Sequence, residues 1–365
     1  MSKLKKKVNA TKEDASKHTI ASPSVVNRFK SAARAADAAM EAVIAACLPG
    51  AKIPELCLLG DQAIQDALVK ENISKTVAKG IAFPTTVSPN HIVAHLSPLQ
   101  TSEEAGLELK AGDMVKIQLG AQVDGEPALV AHTLVVGQEK IDGRQADVLL
   151  AAHYATEATL KLLKPGKVNY DITEAIQKVA SDFDAVPMEG MLSTQIQRNQ
   201  IDGGKTIIVN PTPEQRKGHK TVEFQENEVY QLDIIVSTGD GKLRDTDYRT
   251  TVFKKTDSTY SLKMQTSQVV FREVQQKFAK FPFALRYLSD ERKARLGLIE
   301  CAKSGVVTPY TVYAEKTGAL VAQFQMTVLI LPTGAERITG SWFKPESVTS
   351  DKALKNQEII DLLAA

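Results

Sequence analysis

Histidines, cysteines and carboxylates are the residues that could carry metal or nucleophilic chemistry, and here their spacing suits neither. His91 and His95 stand four apart, the interval that puts two imidazoles on one helix face in zinc hydrolases. They follow Pro89 in an extended-looking segment without an HExxH context, which argues against a zinc pair. His132 lies in a strand-like run and His153 in an alanine-rich helical one, where structural roles are expected. Cys47, Cys57 and Cys301 show no metal-ligand spacing; an odd cysteine number among apolar neighbours points to buried, reduced thiols. The sequence has no GxSxG nucleophile turn, no GxxxxGKS or GKT phosphate loop and no GxGxxG after a strand, and GDGK at 239–242 reads as a turn.

The other chemistry on offer is electrostatic. The 365 residues carry 45 Lys and Arg against 43 Asp and Glu, a net of +2, distributed unevenly. Residues 1–18 hold six lysines against Glu13 and Asp14, a net of +4; residues 254–303 hold eleven basic and five acidic residues, a net of +6; the remainder stands at −8. Lys254 and Lys255 open the second stretch, and Lys263, Arg272, Lys277 and Lys280 recur among Phe271, Phe278, Phe281 and Phe283. Arg292, Lys293 and Arg295 form a further cluster, with Lys303 about two turns on. Such density can track a phosphate backbone by releasing its counterions; the alternative is a solvated helix face. The phenylalanines are expected to form the core of a small subdomain rather than to stack on bases.

Helical and strand patterns show what must position these residues. Ser22-Pro23-Ser24 opens an Ala-rich helix through Cys47, stopped by Pro49-Gly50, and a second helix is expected over Ile53 to Lys70. Met114 to Gly120 and Ala128 to Val136 read as a hairpin across the Asp124-Gly125 turn pair, before helices over Arg144 to Leu163 and Ile172 to Phe183. Glu228–Ser237 and Arg249–Phe253 form a second strand set, then basic helices over Ser267 to Lys280 and Ser289 to Ser304, a strand at Ala319–Leu331 and a last helix over Lys352 to Leu363. The pattern is compatible with two pseudo-twofold α+β halves interrupted by an insert. The expected organisation is a lysine-rich tail at 1–20, a main domain at 21–253 and 315–345, a basic helical insert at 254–314 and a C-terminal helix at 346–365. No apolar run approaches the roughly 18 residues of a membrane span, and the polar N-terminus lacks a secretory h-region. A cytoplasmic or nuclear protein is therefore expected.

Several phrases resemble the type 2 methionine aminopeptidases and, more closely, their noncatalytic proliferation-associated and curved-DNA-binding relatives. They are IAFPTTVSPNHIVAHLSPL at 81–99, GDMVKIQLG at 112–120, AHTLVV at 131–136, EVYQLDIIVSTG at 228–239 and AQFQMTVLILPTG at 322–334. EGMLSTQ at 189–195 and ECAK at 300–303 look specific to the noncatalytic relatives. The resemblance spans roughly residues 20 to 345 and implies the α+β "pita-bread" fold with a helical insert. In the peptidases, two aspartates, a histidine and two glutamates hold two divalent ions that activate a shared water. The matching positions here are Gln118, Leu129, Met191 (on or beside the histidine position), Asp233 and Gln325. One carboxylate of five survives, so the resemblance implies no metal, no cofactor and no peptidase activity. His95 matches the histidine that contacts substrate, and is expected to be a hydrogen-bonded cleft residue with its metal partners lost.

The noncatalytic relatives bind ribosomal and other structured RNA, associate with large ribosomal subunits, and occur in nucleus and cytoplasm. The resemblance therefore implies an RNA-binding, ribosome-associated factor that uses its basic insert. The alternative is a curved-DNA-binding nuclear regulator or scaffold, and nothing in the sequence separates the two, since both targets offer phosphates. The third reading, an active aminopeptidase, is the one the ligand positions reject. The relatives often carry a lysine-rich C-terminal tail, whereas this chain ends EIIDLLAA, which leaves the N-terminal lysines as the candidate nucleolar signal.

Overall fold

The computed structural model describes residues 19–71, 73–138 and 140–365; the expected lysine tail, apart from Thr19 and Ile20, lies outside them. Alternating apolar and polar residues build one large sheet. Its strands are β1 (Lys79–Pro89), β2 (Met114–Val123), β3 (Glu126–Val135), β4 (Leu192–Ile196), β5 (Thr206–Ile208) and β6 (Glu228–Ser237), with the later strand β10 (Val321–Leu331). Their spatial order is β1-β2-β3-β10-β6-β4-β5, and two short strands at Val186–Pro187 and Gly334–Arg337 add to β6 and β10. Antiparallel β2 and β3 meet across Asp124 and Gly125, both at positive φ (54° and 83°), the conformation that a two-residue hairpin turn requires.

Two helix pairs cover one face of this sheet. Helices α1 (Pro23–Ala46) and α2 (Ile53–Lys70) bury Ala32, Ala36, Met40, Leu56 and Ile64 against Val115, Ile117, Leu119, Ala128 and Val130. Helices α3 (Gly143–Leu162) and α4 (Asn169–Asp182) bury Leu149, Ala152, Ile176 and Val179 against Leu232, Ile234, Phe324 and Met326. Because strand side chains alternate faces, residues 116, 118, 129, 131, 233 and 325 must point to the opposite face. The second half, which also holds the short helix α5 (Pro213–Gly218), thus repeats the first in its layering.

The insert has its own sheet. Strand β7 (Val252–Lys255) pairs antiparallel with β8 (Phe283–Ala284) and β9 (Val307–Tyr310), beneath helices α6 (Gln265–Lys277) and α7 (Glu291–Lys303). A strand is expected at Arg249–Phe253 in one set with Glu228–Ser237; the observed strand, Val252–Lys255, pairs with β8 and β9 and not with β6. Among the described residues its ladder partners lie at Phe283–Ala284 and Val307–Tyr310, so the ladder hydrogen bonds decide its allegiance. Phe283 is buried in a core with Val270, Val274 and Leu298, on which Phe271 and Phe278 pack, as a small subdomain requires; Phe281 instead packs with Phe83 and Leu129 of the large sheet. The helices cross closely at Gly297, where a Cβ would stand 2.9 Å from Val270 Cγ2.

The C-terminal helix, expected from Lys352 and assigned to 346–365, forms only as α8 (Gln357–Ala364). Side chains capture the backbone before it: Asp182 accepts from the N–H groups of Lys355 and Asn356 at 2.8 and 3.0 Å. Asn356 then caps the helix by accepting from Ile359 N. All three cysteines are free and buried. Among the described residues no helix is long and apolar enough to cross a membrane.

Candidate functional site

The ladder places three of the five residues expected to match the metal ligands in one row. Gln118 on β2 faces Ala131 on β3, Ala131 faces Gln325 on β10, and Gln325 faces Asp233 on β6. Partners across a ladder share a face, so these side chains emerge side by side on the face opposite the two helix pairs. A chain of amides runs along them. Gln118 Nε2 donates to Gln325 Oε1 (3.3 Å), Gln325 Nε2 to Gln231 Oε1 (3.4 Å) and Gln231 Nε2 to Thr194 Oγ1 (2.7 Å). The row is buried, and Gln118 Oε1 has no hydrogen-bond partner among the described residues.

Asp233 is the one carboxylate in the row. Its backbone N–H donates to Ser193 Oγ (2.8 Å), and its Oδ1 accepts from Gln323 Nε2 (2.8 Å). Burial pushes its carboxyl up to about 7, against the opposing pull of the Gln323 and Gln325 amides. A pair of divalent ions needs several anionic oxygens to offset its charge and its lost hydration. One half-neutral carboxyl among neutral amides does not supply them, and the donor set does not fit a metal pair. Among the described residues no group of three or more His, Cys, Asp and Glu side chains is arranged to hold a metal ion.

The other two positions contribute apolar volume. Leu129 faces Gly120, two residues along β3 from Ala131 in the amide row, and is buried among Phe83, Val229, Phe281 and Leu329. A Cβ at Gly120 would lie 3.1 Å from Leu129 Cγ, so the glycine leaves room for this side chain. Thr327 Oγ1 accepts from Leu129 N (2.8 Å) and donates to Leu129 O (2.9 Å). Met191 lies just ahead of β4, half-buried against the cluster of Met188 and Ile235. On the same face Lys116 is buried, its Nζ donating to Asn90 O (2.7 Å) and Val321 O (3.1 Å). Burial pulls its ammonium down to about 7, with Asp113 opposing.

His95 sits apart from the amide row in its bonding. It has φ +71°, and its Nδ1 lies 2.9 Å from Thr311 O, so this nitrogen carries the proton and donates. Its ring stands edge-on to Tyr310, 5.1 Å between centroids. Burial lowers its basicity, against the Thr311 carbonyl. It lines an open cleft of about 370 Å³ with Lys254, Lys255, Lys280, Tyr310 and Tyr313. Neither this cleft nor a second groove of about 620 Å³ is lined by Gln118, Leu129, Asp233 or Gln325. His132 and His153 stand in an aromatic cluster with Phe324, Trp342 and Phe343.

The ten basic positions of the insert do not form one stripe. Lys254, Lys255 and Lys280 flank the His95 cleft, Lys277 borders the second groove, and Arg292, Lys293, Arg295 and Lys303 lie on α7. Many are paired: Lys254 with Asp202, Lys280 with Asp257 (2.9 Å), Lys277 with Glu273 (2.6 Å), Lys293 with Asp290 (3.0 Å) and Arg295 with Glu291 (3.0 Å). Lys255, Lys263, Arg272, Arg292 and Lys303 make no ion pair among the described residues. One further insert cation matters and escapes a reading by charge density. Arg286 lies inside the apolar run from Phe281 to Leu288, a context that marks a buried charge, and it joins the insert to Asp61 on α2 (2.5 Å).

A sheet with two helix pairs on one face and a row of buried amides beside Asp233 on the other is the layering expected of an aminopeptidase-like, pita-bread protein. A family model described as metallopeptidase family M24 matches residues 27–229, and the chain belongs to that family. It is 42% identical over 355 residues to a protein named "Curved DNA-binding protein" from Schizosaccharomyces pombe, a match that covers 97% of this chain and 93% of the relative. The structure of a thermophilic Arx1 superposes with a TM-score of 0.89 at 34% identity, over 94% of this chain and 98% of that one. A methionine aminopeptidase from Thermotoga maritima shares the fold, with a TM-score of 0.59 at 18% identity over 88% and 98% of the two chains. The resemblance to the aminopeptidase-like relatives, and the fold it implies, are thereby established.

Proposed function

We propose that this chain is a noncatalytic aminopeptidase-like protein that binds structured RNA and associates with large ribosomal subunits and their precursors, in nucleus and cytoplasm. The observation that carries the noncatalytic part is the amide row, in which Gln118 and Gln325 bond to each other where two carboxylates would bridge metals. With only Asp233 ionisable among the five positions, no bridging water is deprotonated and no scissile carbonyl polarised. What remains for function is a rigidly mounted insert whose charge opposes that of the main domain. Its exposed cations can neutralise phosphates and release counterions.

The test is co-sedimentation with purified large ribosomal subunits across a salt series. Arg292→Glu/Lys293→Glu/Arg295→Glu is expected to abolish association while the unfolding midpoint holds, and Lys164→Glu/Lys167→Glu on the main domain to have little effect. Milder alanine versions should flatten the slope of log K against log salt by roughly 0.7 to 0.9 for each phosphate left unneutralised. Undiminished binding by the folded reversal variant overturns the role of the insert. The second reading, curved DNA, is favoured by the name of the 42%-identical relative; competition between a ribosomal RNA fragment and a bent duplex at equal phosphate concentration separates the two.

A further inference from the structure

The outward face of α7 carries a stripe that phosphate binding does not explain. At about 100° per residue, Arg292, Leu296, Ile299 and Lys303 fall within roughly 60° of one another, along about 16 Å of helix. The buried residues Ala294, Gly297, Leu298 and Cys301 occupy the opposite side. Leu296 and Ile299 are 54% and 55% exposed, between two exposed cations that make no ion pair among the described residues. The start of α6 extends the patch. Glu300 accepts from Lys263 N (2.7 Å) and Met264 N (3.0 Å), which fastens half-exposed Met264 and exposed Lys263 beside α7.

We propose that this face docks an acidic, amphipathic segment of a partner protein. Its apolar side chains would cover Leu296, Ile299 and Met264, while its carboxylates meet Arg292, Lys303 and Lys263. A nucleic-acid backbone would answer the cations and leave two branched aliphatic side chains wet at the centre of the stripe. A protein segment with an apolar row and acidic flanks answers both, the pattern by which helices are held in grooves and on helix faces. The surface is pre-organised, since Asp290 caps α7 by accepting from Lys293 N (3.0 Å) and Gly297 locks it onto α6. The ordering cost of binding then falls on the partner.

A phage library of helical peptides, selected on the immobilised full-length chain and counter-selected on Leu296→Ser/Ile299→Ser, tests this directly. Both substitutions lie at exposed positions; an unchanged unfolding midpoint confirms folding, and Leu296→Ala/Ile299→Ala replaces the serine variant if that one fails. Enriched peptides should combine leucine-type residues at i, i+3 and i+4 spacing with Asp or Glu. They should bind the wild type about tenfold more tightly than the counter-selection variant, and lose affinity again with Arg292→Glu/Lys303→Glu. Affinity for a large-subunit ribosomal RNA fragment should be the same in wild type and Leu296→Ser/Ile299→Ser. The absence of an acidic-apolar consensus, or a consensus indifferent to both pairs of substitutions, overturns the proposal. Loss of RNA affinity in the serine variant overturns it too, by giving the stripe to RNA. The outcome is separable from the ribosome reading on which it rests: Leu296→Ser/Ile299→Ser is expected to leave co-sedimentation with large subunits unchanged, whereas Arg292→Glu/Lys293→Glu/Arg295→Glu tests the part of the insert in that association.

Discussion

The Arg286 guanidinium on the insert lies against the Asp61 carboxylate on α2, with Nε and Nη2 at 2.7 and 2.5 Å from Oδ2. Both side chains are more than nine-tenths buried. Arg286 also donates to Ser97 Oγ (2.7 Å), while Asp61 Oδ1 accepts from Thr85 N (2.9 Å), so the pair fastens the insert to α2 and β1 at once.

Removing one partner leaves a buried charge unpaired. Arg286→Met is expected to lower unfolding stability by about 3–5 kcal/mol, read from urea unfolding curves. Asp61→Leu/Arg286→Met should recover much of that loss, because two apolar side chains need no pairing. A double variant as unstable as Arg286→Met alone would show that the carboxylate is not what the guanidinium offsets.

Leu129 predicts a cost for restoring one family residue. Its side chain is 1% exposed, so Leu129→Asp introduces an unpaired carboxylate into the Phe83–Phe281 cluster. The expected loss is a few kcal/mol, roughly 3. An unchanged thermal midpoint would mean that this position meets water.

The wild-type chain is expected to hold no stoichiometric divalent ions and to release no methionine from Met-Ala-Ser peptides with Co²⁺ or Mn²⁺. Gln118→Glu/Gln325→Glu sets two further carboxylates beside Asp233 in the row. That variant should be less stable than wild type at pH 7 through like-charge crowding, and Mn²⁺ should raise its thermal midpoint while leaving the wild-type midpoint in place. Elemental analysis that finds two metals per wild-type chain would contradict the amide-row argument.

Lys116 predicts a pH dependence. Burial brings its ammonium down to about 7 in the folded chain, from the ordinary lysine value of 10.5. Between those values the unfolded chain binds the extra proton, so stability rises as pH goes from about 7 to about 10.5 and is flat with respect to this group below 7. Lys116→Met should remove that rise. The wild type minus variant difference in unfolding free energy, measured from pH 6 to 10, should climb by a few kcal/mol, about 1.4 for each tenfold difference in proton affinity between the unfolded and folded chains. A difference that stays level across this range would place the ammonium in contact with water.

Much of the architecture is legible in the chain because it follows from local periodicity. The sequence pattern places α2 at Ile53–Lys70 and β6 at Glu228–Ser237, their observed limits, since apolar spacing and Pro or Gly punctuation act over a few residues. That residues 118, 129 and 325 are not carboxylates is likewise visible, and the resemblance to the aminopeptidases is what makes those positions candidate ligand positions. The same pattern places a strand at Arg249–Phe253 beside β6, whereas the observed strand is Val252–Lys255 in another sheet, and α8 begins five residues later than it predicts. Both depend on distant partners: the ladder to Phe283 and Val307, and the Asp182 carboxylate that holds Lys355 and Asn356.

The sequence by itself determined most helix and strand positions, the residue types at 118, 129, 233 and 325, and the opposed charge of residues 254–303. Only the tertiary structure decided that Gln118, Gln325 and Asp233 stand in one row, because cross-strand register between residues 207 apart in sequence is set by packing rather than by spacing. It also decided what the basic residues do. Charge counting treats Arg286 and Arg292 alike, but burial against Asp61 makes the first a fastener, while Arg292 remains exposed on the outer face of α7. A formal charge is a property of the residue; whether it meets a carboxylate or solvent is a property of the fold.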